Sequence, residues 1–225
     1  MKVAAIVPAA GEGRRLKTRQ SKAFVAVFGK PLVIHTLLAL KRAFHFEEIV
    51  LVIARSQEKK FQKLLKRFRL HDIRLVYGGG TRAESVRNGL MSVSNRCDWV
   101  LVHDAARPLV SARLVKNLLK AAKKHPAVIL ALPVNQTVKR VDLLSQAILK
   151  TEDRRELFLA QTPQVFKKDQ LLRRYRELGD KALSVTDEAA LFDGSRTKVR
   201  IFIGEEKNIK ITTKADIELM KFYLK

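Results

Sequence analysis

The stretch Lys2-Val-Ala-Ala-Ile-Val-Pro-Ala-Ala-Gly-Glu-Gly-Arg-Arg15 joins a short apolar run to a turn of small residues that ends in two arginines. Val3 to Val7 carries no polar alternation and is too short for a helix, so it reads as a strand buried on both faces, as in a parallel sheet. The turn after it is built for close approach: small residues let the backbone meet a ligand, and successive amides can cradle phosphate oxygens. The same punctuation recurs along the chain. Ile49 to Ile53, Ile73 to Val76, Trp99 to Val102 and Val128 to Leu132 are further apolar runs of strand length. Between them, Leu32 to Phe44, Gln57 to Phe68, Arg82 to Val93 and Ala112 to Lys124 carry apolar residues at helical spacing. Alternation of this kind predicts an α/β fold, a mostly parallel sheet with helices on both faces.

With no repeat and no low-complexity linker, the whole chain, 1–225, is expected to form a single domain. The pattern changes after Pro133. Thr137 to Thr151 holds two short apolar pieces around Asp142 and no helical period, which predicts either a β-hairpin arm projecting from the sheet or a plain surface loop. Helices are expected again near Lys168 to Leu178 and Thr186 to Phe192, then a strand at Val199 to Ile203 and a helix from about Lys214.

The bulk properties exclude some classes and leave others open. The single cysteine, Cys97, rules out an intrachain disulfide and makes a cysteine-based metal site unfavourable. No apolar run is long enough to cross a bilayer, and charges interrupt the N-terminal apolar segment before a signal-peptide pattern can form, so a cytoplasmic protein that does not span a membrane is expected. A net charge of +23 raises nucleic-acid binding as one reading and a solvated basic surface as the other. The charges fall between apolar residues of amphipathic stretches such as Lys59 to Phe68, with no aromatic-interleaved basic strand, so no specific nucleic acid is expected as a partner.

Polar clusters follow several of the strands, where ligands of open α/β sheets bind. Pro8 to Arg15, followed by Lys22, lacks the Gly-x-x-x-x-Gly-Lys-Ser/Thr spacing of a P-loop, and Leu16 stands where a dinucleotide fingerprint needs its third glycine. Gly78-Gly-Gly-Thr-Arg-Ala-Glu-Ser85 offers close backbone approach and a hydroxyl, or else a flexible turn capped by Thr81. Val102-His-Asp-Ala-Ala-Arg-Pro108 places Asp104 just past a buried strand, suited to a magnesium ion or a ligand hydroxyl. There His103 reads as structural, and Arg107 as a partner of Asp104 or of an anionic substrate. Singly, Thr137, Lys139, Arg140, Arg154, Thr162, Thr186-Asp-Glu188 and Asn208-Ile-Lys210 read as surface residues, with Thr186 a candidate helix cap.

Taken in order, Pro8-Ala-Ala-Gly-x-Gly-Arg-Arg15, Lys22, Gly-Gly-x-x-Arg82-x-x-Ser85, Val102-His-Asp-Ala-Ala-Arg-Pro108, Pro133 to Arg140, Gln161-Thr-Pro-Gln164, Thr186-Asp-Glu188 and Asn208-Ile-Lys210 resemble the cytidylyltransferases of the non-mevalonate isoprenoid pathway, across nearly the whole chain. Those enzymes join 2-C-methyl-D-erythritol 4-phosphate to CTP. The resemblance implies a single-domain Rossmann-like nucleotidyltransferase fold. It implies a nucleotide site at Ala9, Ala10, Gly11, Gly13, Lys22, Gly79, Ser85 and Ala105, with Mg²⁺ as cofactor. Arg15, Lys22, Arg154 and Lys210 would be catalytic. Asp104, Arg107, Thr137, Arg154, Thr162, Thr186 and Lys210 would form the sugar-phosphate site. A homodimer that exchanges its 137–151 arms would carry Thr137 and Arg154 to the partner's site. Two departures stand out: Gly80 occupies a position where aspartate is common, and Ser21 one where proline usually precedes the loop lysine. The nearest alternative is the ribitol 5-phosphate cytidylyltransferases, which share the nucleotide loop.

Overall fold

The computed structural model describes residues 1–11 and 21–225. In chain order the first elements are β1 (Val3–Pro8), β2 (Ala26–Val27), β3 (Lys30–Pro31), α1 (Leu32–Ala43), β4 (Glu48–Ile53), α2 (Glu58–Arg67) and β5 (Ile73–Tyr77). They are followed by α3 (Arg82–Ser92), β6 (Trp99–Val102), α4 (Ala112–Ala122), β7 (Ala127–Pro133), β8 (Lys139–Val141) and β9 (Ile148–Thr151). The chain closes with β10 (Phe158–Lys167), α5 (Lys168–Leu178), β11 (Arg200–Ile203) and α6 (Lys214–Leu224).

Seven strands form one sheet in the order β11-β7-β10-β6-β1-β4-β5. Only β10 runs antiparallel to its neighbours; β1 pairs in parallel with both β4 and β6. The chain leaves β1 in one direction, through β4 to β5, then returns to β6 on the other side of β1. That reversal makes the β1/β6 boundary the topological switch point, where the loops beyond the two strands diverge and open a crevice. Each strand divides its apolar residues between two cores. Val3, Ala5 and Val7 of β1 join α1, α2 and α4 on one face, whereas Ala4 and Ile6 join α3 and α5 on the other. A third, small cluster of Val27, Leu32, Ile211 and Met220 ties the β2–β3 hairpin to α6.

The expected strands and helices are all present except one; the short β2–β3 hairpin and one strand of the seven-stranded sheet were not anticipated. Thr186 to Phe192 is not an α-helix but a short 3₁₀ turn at Ala189–Phe192, with Thr186 exposed and Asp187 Oδ1 accepting from the Ala190 amide. Thr186 is therefore no helix cap. In the seven-stranded sheet the unanticipated strand is β10, at the centre. Its sequence, Phe-Leu-Ala-Gln-Thr-Pro-Gln-Val-Phe-Lys, carries a proline, which cannot donate to a ladder and argues against a central strand. The fold meets this with a register shift against β7 between Gln161 and Gln164, around a cis Thr162–Pro163 bond. The arm is a separate two-stranded antiparallel sheet, β8–β9. Its tip exposes Leu143 and Leu144 almost completely, at 90% and 97%.

The surplus charge is not evenly spread. The cations of α1 (Lys41, Arg42), α2 (Lys59, Lys60, Lys63, Lys66, Arg67) and α4 (Arg113, Lys116, Lys120) are all exposed, and Glu58 is the sole acid on those three helices. On the opposite face some of the helical cations pair within their own helix, Arg87 with Glu84 on α3, and Arg173 and Arg174 with Glu177 on α5.

Two buried features hold the crevice in shape. Gly89 of α3 lies so close to the sheet that an added Cβ would sit 2.8 Å from Ile6 Cγ2 and 2.8 Å from Val52 Cγ2. Beyond β6, buried His103 accepts or donates at both ring nitrogens: Nε2 is 3.0 Å from the Arg107 carbonyl and Nδ1 is 3.1 Å from Thr162 Oγ1. A carbonyl only accepts, so Nε2 carries the proton and Nδ1 accepts from the Thr162 hydroxyl. Thr162 in turn accepts from the Asp104 amide at 3.0 Å. This one-way chain ties β10 to the loop after β6 and needs a neutral imidazole. Burial holds the His103 pKa down at about 4.

Two predictions follow from these contacts. Gly89→Ala is expected to destabilise the protein by about 1–2 kcal/mol in urea unfolding, since overpacking outweighs alanine's better helix propensity; a stabilised variant would refute the close approach. For His103 the folded pKa lies below the ordinary value near 6.5, so the unfolded chain takes up the proton first and stability is lost as pH falls from about 6.5 towards 4. Between pH 7.5 and pH 5 this group alone should remove about 2 kcal/mol. His103→Gln should flatten that part of the pH profile, and equal slopes in the two proteins would contradict the neutral assignment.

Candidate active site

The loops at the switch point enclose a cleft of about 620 Å³. Two of them build its nucleotide-sized end. The Ala9 amide donates to the Val52 carbonyl at 2.7 Å, so the chain leaving β1 stays flush with the sheet before Ala10 and Gly11 turn along the cleft wall. Gly78, at the end of β5, lets two loops meet: a Cβ there would lie 2.7 Å from Ala10 Cβ and 2.6 Å from Ser85 Oγ. Ser85 Oγ accepts from the Gly79 amide at 3.2 Å and donates to the Thr81 carbonyl at 2.9 Å. Thr81 caps α3, its hydroxyl accepting from the Glu84 amide, so the positive end of this helix faces the cleft.

The opposite end is ionic. Asp104, buried to 6% exposure, meets Lys210 Nζ at 2.7 Å through Oδ2 and Arg82 Nε at 3.1 Å through Oδ1. Arg107 Nε stands 3.9 Å from Oδ2. Arg82 also donates from one terminal nitrogen to both oxygens of Glu188, at 2.9 and 3.1 Å. Glu188 is fully buried, and the Tyr175 hydroxyl lies 3.4 Å from its Oε1. Burial alone would raise the Asp104 pKa, but Arg82, Lys210 and Arg107 hold it far below the usual carboxylate range. Burial pushes Glu188 upwards, with Arg82 pulling the other way. Both Glu188 oxygens accept from a guanidinium, the geometry of an ionised carboxylate. Arg82 itself stays charged, because its two carboxylates outweigh its desolvation.

The expected residues divide cleanly. Ala9, Ala10, Gly11, Lys22, Gly79, Ser85, Asp104, Ala105 and Lys210 all line the cleft. Lys22 Nζ donates to the Ile211 carbonyl at 2.7 Å, which brings it to the segment that carries Lys210. Gly13 and Arg15 lie outside the described residues. Arg107 and Thr162 are buried behind the cleft. Arg107 donates to the carbonyls of Asn208 (2.7 Å) and Ala160 (3.4 Å), and the Thr162 hydroxyl serves His103 and Asp104. Thr137 and Arg154 sit exposed at the root of the arm, where Arg154 donates to the Asn135 carbonyl at 2.5 Å, and Thr186 is exposed as well. None of these three lines the cleft of its own chain.

Sequence reasoning gave no role to Arg82 or Glu188, although both stand in motifs it singled out. Their pairing crosses 106 positions, a separation no local pattern signals. It also offered Asp104 as a magnesium ligand, and the arrangement does not fit that role, because both of its oxygens already face cations. Among the described residues no group of three or more His, Cys, Asp or Glu side chains could hold a metal. Cys97 lies before β6, at the far end of that strand, where burial and then Glu48 push its thiol up to about 11, so it supplies no nucleophile.

Comparison with known proteins agrees with this geometry. The family model of IspD, 2-C-methyl-D-erythritol 4-phosphate cytidylyltransferase, matches residues 3–225. An enzyme of that name from Alkaliphilus metalliredigens is 37% identical over 96% of this chain and 90% of its own. The chain is also 39% identical to a bifunctional IspD/IspF enzyme from Desulfotalea psychrophila, of whose length it spans 56%. Among solved structures, 4-diphosphocytidyl-2C-methyl-D-erythritol synthase from Anaerococcus prevotii superposes with a TM-score of 0.86 at 33% identity, covering 99% of this chain and 96% of that one. The Francisella tularensis cytidylyltransferase gives 0.83 at 32% identity, with 99% of each chain covered. A cleft assembled at the switch point from these loops, matched from Val3 to the last residue, places the chain in the 2-C-methyl-D-erythritol 4-phosphate cytidylyltransferase family.

Proposed function

We infer that the chain transfers CMP from CTP to 2-C-methyl-D-erythritol 4-phosphate, giving 4-diphosphocytidyl-2-C-methyl-D-erythritol and pyrophosphate in isoprenoid precursor synthesis. The observation that carries this reading is the two-ended cleft. Backbone amides, Ser85 and the α3 N-terminus offer a nucleotide end, and the Asp104–Lys210 pair offers a polyol-phosphate end.

The reaction places two anions side by side. An oxygen of the sugar phosphate attacks the α-phosphorus of CTP in line, the bond to the β-phosphate breaks, and pyrophosphate carries the electron pair away. A phosphate monoester is already ionised near neutral pH, so the attack needs no side-chain base. What the protein supplies is orientation and positive charge. Lys22 and Lys210, on the same wall of the cleft, offset charge on the α-phosphate and the leaving group, and Arg15 is proposed to join them. Asp104 accepts from substrate hydroxyls, while Thr162 and Arg107 hold its loop from behind. Magnesium, expected with the triphosphate, would be held largely by phosphate oxygens and water, since both oxygens of Asp104 face cations.

A homodimer completes the proposal. The exposed apolar tip of the arm and the exposed Ile201 and Ile203 on edge strand β11 ask for cover, and a second copy would supply it. Thr137 and Arg154 would then serve the neighbouring cleft, with Thr186 at its rim. The compartment proposed is the cytoplasm, as use of CTP implies.

Incubation with CTP, Mg²⁺ and either methylerythritol phosphate or ribitol 5-phosphate, read as pyrophosphate release, is expected to show turnover with the former only. Lys22→Ala should lower kcat by on the order of 10²–10³, the effect of removing one charge-stabilising donor; near-normal turnover would remove Lys22 from the chemistry. Asp104→Asn should raise KM for the sugar phosphate and leave KM for CTP within about twofold, since it deletes a contact to one substrate.

A further inference from the structure

The ionic end of the cleft continues inward as an alternating chain of charges. Lys210 is the outermost member, with its side chain 35% exposed; Asp104, Arg82 and Glu188 follow, and the last of these is fully buried. We propose that Glu188 is a positioning residue for sugar-phosphate binding: it orients Arg82, which fixes the carboxylate of Asp104 and so the ammonium of Lys210. The proposal rests on the reading of Asp104 and Lys210 as the polyol-phosphate end.

The geometry explains why a second carboxylate is needed. An arginine beside a single aspartate has rotamers to spare and five donors to offer. Here one terminal nitrogen is spent on both oxygens of Glu188, so the guanidinium plane is set and Nε is the atom left facing Asp104 Oδ1. With Oδ1 engaged there, Oδ2 is turned to Lys210. Tyr175 of α5 steadies the buried end, its hydroxyl lying 3.2 Å from the Ala83 carbonyl and 3.4 Å from Glu188. The chain thus crosses from α5 through α3 to the loop after β6, then to the segment before α6. Without the charge on Glu188, Arg82 would have one carboxylate to satisfy it. Its terminal nitrogens would compete for Asp104 and draw that group away from Lys210. The nucleotide end, built from backbone amides and Ser85, would be unchanged.

The test compares Glu188→Gln with Asp104→Asn and the double variant, measuring folding by thermal denaturation and KM for each substrate separately. The expected result is a folded Glu188→Gln protein whose KM for methylerythritol phosphate rises about tenfold, the size of one lost charge-assisted hydrogen bond, with KM for CTP within about twofold. The double variant should be no worse than Asp104→Asn alone, because both act on one contact. A role in folding alone would lower the melting temperature and move the two KM values together or not at all, which overturns the proposal. If Asp104→Asn raises the sugar-phosphate KM and folded Glu188→Gln does not, positioning is wrong while the Asp104 reading stands. If Asp104→Asn itself has no effect, both fall. Should Glu188→Gln fail to fold, Tyr175→Phe replaces it: a rise of about threefold in the sugar-phosphate KM supports the proposal, and an unchanged KM overturns it.

Discussion

Arg82 is one guanidinium between two buried carboxylates, and the ordering of the cleft depends on it. Buried charge is costly unless paired and hydrogen-bonded. Asp104, Glu188 and Arg82 are buried or nearly so, and they meet that condition only as a group that opens to the cleft at Lys210. The alternation sets where positive charge can stand at the surface. The ammonium that stands at the cleft therefore has a partner carboxylate that is itself held in place. The fold serves this arrangement from several sides: α3 brings Arg82, the turn before Ala189 brings Glu188, the end of β6 brings Asp104, and the return from β11 brings Lys210.

That return is possible because an antiparallel strand occupies the middle of a parallel sheet. β10 places Thr162 beside His103, and Gln161 near Asn208, whose side-chain amide donates to the Thr162 carbonyl at 2.9 Å. The Asn208 carbonyl then accepts from Arg107. The segment carrying Lys210 is thus stitched to the Asp104 loop both directly, by Arg107 and by the Ile211 amide donating to the Ala106 carbonyl at 2.8 Å, and through β10.

Much of this was legible before any coordinates. Six of the sheet's seven strands announce themselves as largely apolar runs, and the helices between them carry clear periodicity, because burial on both faces and on one face leave different signatures. The loops that carry Ala9, Ala10, Gly11, Gly79 and Ser85 stood out by their position after such runs, and the family resemblance picked out the individual residues. β10 was not, because Pro163 and its polar neighbours look like a turn when the compensating register shift is invisible. Glu188 was not, because nothing near position 188 tells of a guanidinium on α3. Thr186 was misread for a similar reason: a hydroxyl before an acidic pair imitates a cap where only a 3₁₀ turn forms. The cations that face Asp104 were not legible either, because a lone aspartate past a strand looks the same whether metal or lysine faces it.

The lopsided distribution of charge gives the molecule an electric dipole as well as a net charge. The cations of α1, α2 and α4 stand on one side with a single acid among them, while α3 and α5 offset half of theirs with Glu84, Asp169 and Glu177. In dilute buffer such a body orients in the field of its neighbours. At about 0.1 M salt the field is screened within about 10 Å, roughly one helix diameter. Like-charged bodies are therefore repelled from the α1, α2 and α4 face only at short range. Added salt shortens that range further and leaves the buried Asp104–Arg82–Glu188 group, out of reach of mobile ions, nearly untouched.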